Sequence, residues 1–250
     1  MSYSHRVVLV TGASSGIGAA IALAFAREGA SVAIVGRNQA KLADVAAGFV
    51  GLTQPLILRA DLSDNAQAAT LVQRTVDHFG KLDVLINNAG MSRNGSILEG
   101  NLLAAFDEVM ATNLRAAIHL TTLAAPYLIK TKGNIINISS VAGLTTFPVH
   151  VLMPYSVSKA AMNHFTKTSA LELAPHGVRV NSVSPGPVRT NILETCEFPG
   201  TWDDFQKFTA LNKIAEPEEI ADLILFLSSD KARSITGSNY VSDNGLLLNV

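Results

Sequence analysis

The chain has 250 residues, of which 48% are hydrophobic and 16% charged, so it can bury a sizeable core and is too apolar to stay unfolded. Nineteen basic against twenty acidic residues leave a net charge of −1 with no Lys/Arg run, which argues against nucleic acid as a partner. No apolar run reaches the ~18 residues of a membrane span, no signal-like core opens the chain, and the lone Cys196 cannot form an internal disulfide. A cytoplasmic protein with no membrane partner is therefore expected.

Arg6–Thr11 (RVVLVT) is the first predicted strand, followed by a glycine-rich turn and a helix to about Arg27. Ser31–Gly36 is the second strand, after which Leu42, Val45, Ala46 and Phe49 mark a helix face. Leu56–Asp61 is the third strand, and Val72, Val76 and Phe79 mark the next helix. Leu82–Gly90 holds the fourth strand and its exit loop, and a long helical region runs from about Leu102 to Lys130. Gly133–Ser140 is the fifth strand, a helix begins near Pro154, and Gly177–Gly186 is the sixth strand. Ile220, Leu223, Ile224 and Leu227 mark another helix, and Ser238–Asp243 is the seventh strand.

Continuous apolar runs suit strands buried on both faces, and their alternation with helices implies a parallel sheet covered on both sides. No linker or composition break appears, so residues 1–250 are expected to form a single α/β doubly wound domain of about seven strands. The least regular stretch, 191–217, carries Phe198, Trp202, Phe205 and Phe208. It reads either as a substrate lid or as a short helical insertion packed on the core.

Three stretches carry chemistry. In VTGASSGIG, Gly12, Gly16 and Gly18 follow the first strand, where backbone can approach a pyrophosphate and a helix N-terminus faces it; a tight structural turn is the alternative. At the end of the second strand, VGRN offers no acid for a ribose 2′-hydroxyl. Gly36 leaves space and Arg37 supplies charge, which favours NADP(H) over NAD(H), unless Arg37 is only a solvated surface residue. In YSVSK, Tyr155 and Lys159 share a helix face, where a cation favours an ionised phenol.

With TGASSGIG, NNAG, NISS and YSVSK in this order, the chain resembles a short-chain dehydrogenase/reductase of the roughly 250-residue type, from Val7 to about Asp243. The resemblance implies a Rossmann-like fold and a catalytic tetrad of Asn113, Ser140, Tyr155 and Lys159. Tyr155 would exchange the proton, Lys159 would lower its pKa and hold the nicotinamide ribose, Ser140 would hold the substrate oxygen, and Asn113 would keep a water that links Lys159 to solvent. Ser139 is the alternative serine, and His150 a flanking loop histidine. It further implies cofactor contacts at Gly12, Ser14, Ser15, Gly16, Ile17, Gly18, Arg37, Asp61 and Leu62. Others are implied at Asn88, Ala89, Gly90, Tyr155, Lys159, Pro185, Gly186, Val188 and Thr190. Ser140 and Tyr155 stand farther apart than is usual in the family, which bears on the shape of the substrate pocket.

Met91, Leu144, Phe147, Met153, Ile192 and Trp202 are the candidate pocket walls, suited to a hydrophobic ketone or secondary alcohol of steroid, isoprenoid or retinoid type; packing is their alternative use. The resemblance also allows reduction of a 3-oxoacyl thioester, and, as a different class, a dinucleotide-binding sensor or scaffold without turnover. Sugar-nucleotide epimerases share a Tyr/Lys pair but usually need a further substrate domain. A homodimer or homotetramer is implied, through the helices of Leu102–Lys130 and Pro154–Ala174 and an exposed apolar C-terminal GLLLNV. No metal site is expected.

Overall fold

The computed structural model describes residues 2–147, 152–191 and 201–249. Seven parallel strands form one sheet: β1 (Val7–Thr11), β2 (Ser31–Gly36), β3 (Leu56–Arg59), β4 (Val84–Asn87), β5 (Asn134–Ile138), β6 (Arg179–Pro185) and β7 (Asn239–Ser242). Their order across the sheet is β3-β2-β1-β4-β5-β6-β7. Successive side chains of a strand point to opposite faces. Val8, Val10, Ile34, Ile86 and Ile136 therefore build one core layer, with α1 (Gly16–Arg27) and α9 (Pro217–Ser228) packed on it. Val7, Leu9, Ala33, Val35, Leu85 and Ile135 build the other layer, beneath α4 (Leu71–Phe79), α6 (Ala116–Thr131) and α7 (Met153–Leu173). Both layers favour apolar residues at most strand positions, which is why these strands read as near-continuous runs, with buried polar exceptions such as Asn87, Asn137 and Ser182.

The remaining described helices are α2 (Gln39–Ala47), α3 (Asn65–Ala69), α5 (Leu102–Met110) and α8 (Trp202–Gln206). Two features depart from the predicted elements. α3 was not foreseen; Asp64 starts it by accepting hydrogen bonds from the N–H groups of Ala66 and Gln67. The long helical region is also interrupted, because Ala111–Arg115 forms a π-helical turn between α5 and α6. Such turns widen the helix by one residue and recur at functional sites.

Residues 192–200 lie outside the described part, with Ile192, Cys196 and Phe198, as do 148–151 with His150. Of the expected lid, the structure describes α8, whose N-terminus carries a reciprocal capping box between Thr201 and Asp204. At the C-terminus Leu246 is buried and Leu248 exposed, so the terminal leucines are not one exposed patch. No described helix is long and apolar enough to cross a membrane.

Candidate active site

The strand order reverses between β1 and β4, and the chain leaves β1 and β4 in opposite lateral directions there. This opens a cleft at the C-terminal ends of the strands. The cleft measures about 610 Å³ and is lined by residues that directly follow β1, β2, β3, β4 and β5.

The floor is the glycine turn after β1. Thr11 fixes it: its hydroxyl donates to the Ile86 carbonyl at 3.1 Å and accepts from the N–H groups of Asn88 and Ala89 at 3.0 and 3.1 Å. The Asn88 amide donates in turn to the carbonyls of Thr11 and Gly12, at 2.9 and 3.2 Å. Gly12 has φ +64°, and a methyl group there would lie 2.7 Å from Ala89 Cα, so only glycine fits. A methyl at Gly18 would collide with the Gly12 carbonyl. The turn thus offers bare backbone and the start of α1 to the cleft, which fits the pyrophosphate of a dinucleotide.

One end of the cleft is built after β2 and β3 by Gly36, Arg37, Asn38, Lys41, Asp61 and Leu62. Gly36 does not leave open space as expected: a Cβ there would stand 3.1 Å from Ser14 Cβ, so the glycine serves close packing of the turn. Arg37 lies 3.9 Å from Asp61, and both are well exposed, which makes a weak and exchangeable pair. Lys41 is a second cation that sequence reasoning missed. Asn38 caps α2 by accepting from the Lys41 N–H at 3.0 Å, which sets Lys41 one turn beyond Arg37.

At the other end stand Asn88–Arg93, Thr112, Ser139, Ser140, Tyr155, Lys159, Pro185, Thr190 and Asn191. Tyr155 and Lys159 come from the first turns of α7, and the Lys159 ammonium lies 5.5 Å from the centre of the Tyr155 ring. Lys159 is buried, donates to the Ile138 carbonyl at 2.6 Å, and has its pKa lowered to about 8 by desolvation.

The two serines separate clearly. Ser139 donates to the Lys159 carbonyl at 3.0 Å and braces α7 against β5. Ser140 accepts from the Ala142 N–H at 3.1 Å, which leaves its own proton available. Asn113 sits in the π turn, fully buried behind the cleft rather than lining it. Its amide accepts from the Met91 N–H at 2.8 Å and donates to the Met91 carbonyl and the Ser158 hydroxyl, at 2.9 and 3.0 Å. The Asn113 side chain therefore positions the loop after β4 and the first turn of α7, and a methyl group placed on Gly90 would meet both Asn113 Oδ1, at 3.6 Å, and Lys159 Nζ, at 3.5 Å.

Other expected contacts stand back from the cleft. Gly186 packs 2.7 Å from Asp243 Cα, counted from a Cβ placed on it, and Val188 pairs with Ala215. Of the expected pocket walls Met91 lines the cleft; Leu144, Phe147, Met153 and Trp202 are not among the lining residues, and Ile192 lies outside the described part.

Known proteins are similar to this chain along nearly its whole length. The family described as enoyl-(acyl carrier protein) reductase matches residues 12–247. The 3-oxoacyl-[acyl-carrier-protein] reductase of Thermotoga maritima is 37% identical over 257 residues, spanning 99% of this chain and 100% of the relative. The meso-2,3-butanediol dehydrogenase of Serratia marcescens is 35% identical, spanning 98% and 96%. A crystal structure of a short chain dehydrogenase from Burkholderia cenocepacia in complex with NADP is similar with a TM-score of 0.91 at 32% identity, covering 99% of this chain and 100% of that one.

Proposed function

The chain belongs to the short-chain dehydrogenase/reductase family, an oxidoreductase family that uses a nicotinamide cofactor, and on that premise we propose that it reduces a ketone to a secondary alcohol with NADPH. The observation that carries this reading is Tyr155 beside the buried Lys159 ammonium, in the same cleft as the glycine turn. The nicotinamide, when bound, supplies the hydride. Tyr155 gives its proton to the carbonyl oxygen, and Lys159 favours the phenolate left behind. Ser140 steadies the same oxygen with a hydrogen bond from its hydroxyl. Asn113 and Ser158 hold the frame, since Ser158 donates to the Tyr155 carbonyl at 2.7 Å.

NADP(H) is favoured over NAD(H) because Arg37 and Lys41 both line the end of the cleft after β2, where a 2′-phosphate would be read. The apolar-ketone reading loses support, because most of its wall residues do not line the cleft and Ser92, Arg93, Thr112 and Asn191 do. The relatives' names instead favour a 3-oxoacyl thioester, with a small hydroxyketone second. Leu103, Ile118, Val157 and Leu171, exposed on α5, α6 and α7, support self-association through those helices.

The test is NADPH and NADH oxidation with acetoacetyl thioesters, acetoin and a steroid ketone. Turnover should be fastest with a thioester and NADPH, and Tyr155→Phe should lower it by at least about 100-fold. Undiminished turnover in that variant would remove Tyr155 from the chemistry. Dinucleotide binding with no turnover of any ketone would favour the sensor reading.

A further inference from the structure

The charges that line the cleft fall into three places. Arg37, Lys41 and Asp61 stand after β2 and β3, Lys159 is buried beside Tyr155, and Arg93 lies on the loop after β4. The first group serves the cofactor and Lys159 the proton exchange. Arg93 is left, a cation with no assigned task on the reacting side.

Two close approaches fix where that loop runs. A methyl group at Gly90 would lie 3.5 Å from Lys159 Nζ, and one at Gly95 would lie 3.0 Å from Pro154 Cγ. The segment 90–95 therefore runs antiparallel to the first turns of α7, and residues 91–93 pass alongside the turn that carries Tyr155. Asn113 clamps this segment through both backbone groups of Met91, so it is held rather than loose.

The Arg93 side chain is about half exposed. Its Nε donates to Glu108 on α5 at 2.8 Å, and one Nη reaches the Ser92 carbonyl only at 3.5 Å. Guanidinium carries five N–H donors in a fork that matches a carboxylate or a phosphate, and here most of them have no close partner among the described residues. Glu108 is itself more than half exposed, and ion pairs of this kind contribute little, so an incoming anion displaces Glu108 or joins it at small cost. Ser92, between Met91 and Arg93, adds a buried hydroxyl with no hydrogen-bond partner among the described residues.

We propose that Arg93 recognises an oxyanion, a carboxylate or a phosphate, carried on the substrate away from its ketone. The inference rests on the ketone-reductase reading and narrows its substrate to one that bears a negative charge on an arm. Nothing in the sequence signalled this: Arg93 is a single basic residue in a polar loop, and only the fold brings it to the cleft of Tyr155.

The test uses protein saturated with NADP+, so that the cofactor end is occupied, and calorimetric titration with matched pairs. One pair is acetoacetyl-phosphopantetheine and acetoacetyl-pantetheine; the other is 5-oxohexanoate and its methyl ester. The wild type should bind the anionic member of at least one pair about tenfold more tightly, and the pair that responds tells phosphate from carboxylate. Arg93→Gln should abolish that preference. Glu108→Gln should preserve or enlarge it, because it removes the competing carboxylate. Concentrated salt, which shortens the screening length to about 3 Å at 1 M, should flatten the wild-type preference. A wild type without charge preference, a preference that survives Arg93→Gln, or equal losses in both variants would overturn the inference; the last would make the pair a mere tie between loop and helix. Turnover of the same compounds with NADPH is read separately. Reduction without charge preference leaves the reductase reading standing and removes Arg93's role. Charge-dependent binding without reduction of any ketone does the reverse.

Discussion

Replacing Lys159 by methionine should stabilise the cofactor-free protein while it disables the site. The side chain is buried, and burial alone lowers its pKa from 10.5 to about 8. At about 1.36 kcal/mol per pH unit, holding that proton in the folded state costs about 3 kcal/mol at neutral pH. Methionine has a similar length and no charge, but it removes the hydrogen bond to the Ile138 carbonyl, worth about 1 kcal/mol. A net gain of about 2 kcal/mol at pH 7 follows. Below pH 8 folded and unfolded chains both carry the proton, so the wild type bears the full penalty. Between about 8 and 10.5 the unfolded chain binds a proton that the folded chain has lost, and wild-type stability rises with pH relative to the variant. The variant's advantage should therefore shrink through that window and end as a deficit of about 1 kcal/mol, the missing hydrogen bond. Urea unfolding of both proteins at pH 7 and pH 10 measures this. A variant less stable than wild type at pH 7, or a difference equal at both pH values, would refute the reasoning.

Three further outcomes are expected. Arg37→Ala should reduce the NADPH-over-NADH preference by roughly 10- to 100-fold, the loss of one charge-assisted contact, and Lys41→Ala should reduce it less; the ratio of kcat/KM values reads both. Gly12→Ala must place a Cβ at φ +64° and 2.7 Å from Ala89 Cα, so NADPH binding should be lost in a fluorescence titration even where the chain still folds. Asn113→Ala strands the two backbone groups of Met91 and removes the donor to the Ser158 hydroxyl, which keeps its bond to the Tyr155 carbonyl; a stability loss of about 2–4 kcal/mol with a lower kcat is expected, and an unchanged urea midpoint would count against the clamp.

The strands were legible because a sheet covered on both faces favours apolar side chains at most positions, and β2 falls on Ser31–Gly36 as read. The glycine turn and the Tyr155/Lys159 pair were legible for a related reason. A left-handed φ and an i,i+4 spacing are local properties, written within a few neighbouring residues. The π turn at Ala111–Arg115 was hidden, because a one-residue widening leaves the apolar pattern of the long helical stretch nearly continuous. Of the expected pocket walls Met91 lines the cleft while Leu144, Phe147, Met153 and Trp202 do not, because position along the chain does not fix which way a side chain faces.

Ser139 and Ser140 show the division most plainly. They are adjacent and chemically identical, so no local rule separates them. Ser139 is committed by the carbonyl of Lys159, 20 residues away, and Ser140 by the turn that follows it. Arg37 and Lys41 line the same end of the cleft, on either side of the Asn38 cap of α2, and Arg93 reaches the cleft because β4 ends beside β1. The sequence by itself determined the order of elements, the cradle and the reacting pair, since these depend on backbone preference and short-range period. Tertiary structure tied Ser139 to the Lys159 carbonyl and brought Arg93 to the cleft, since those depend on strand order and on partners far along the chain.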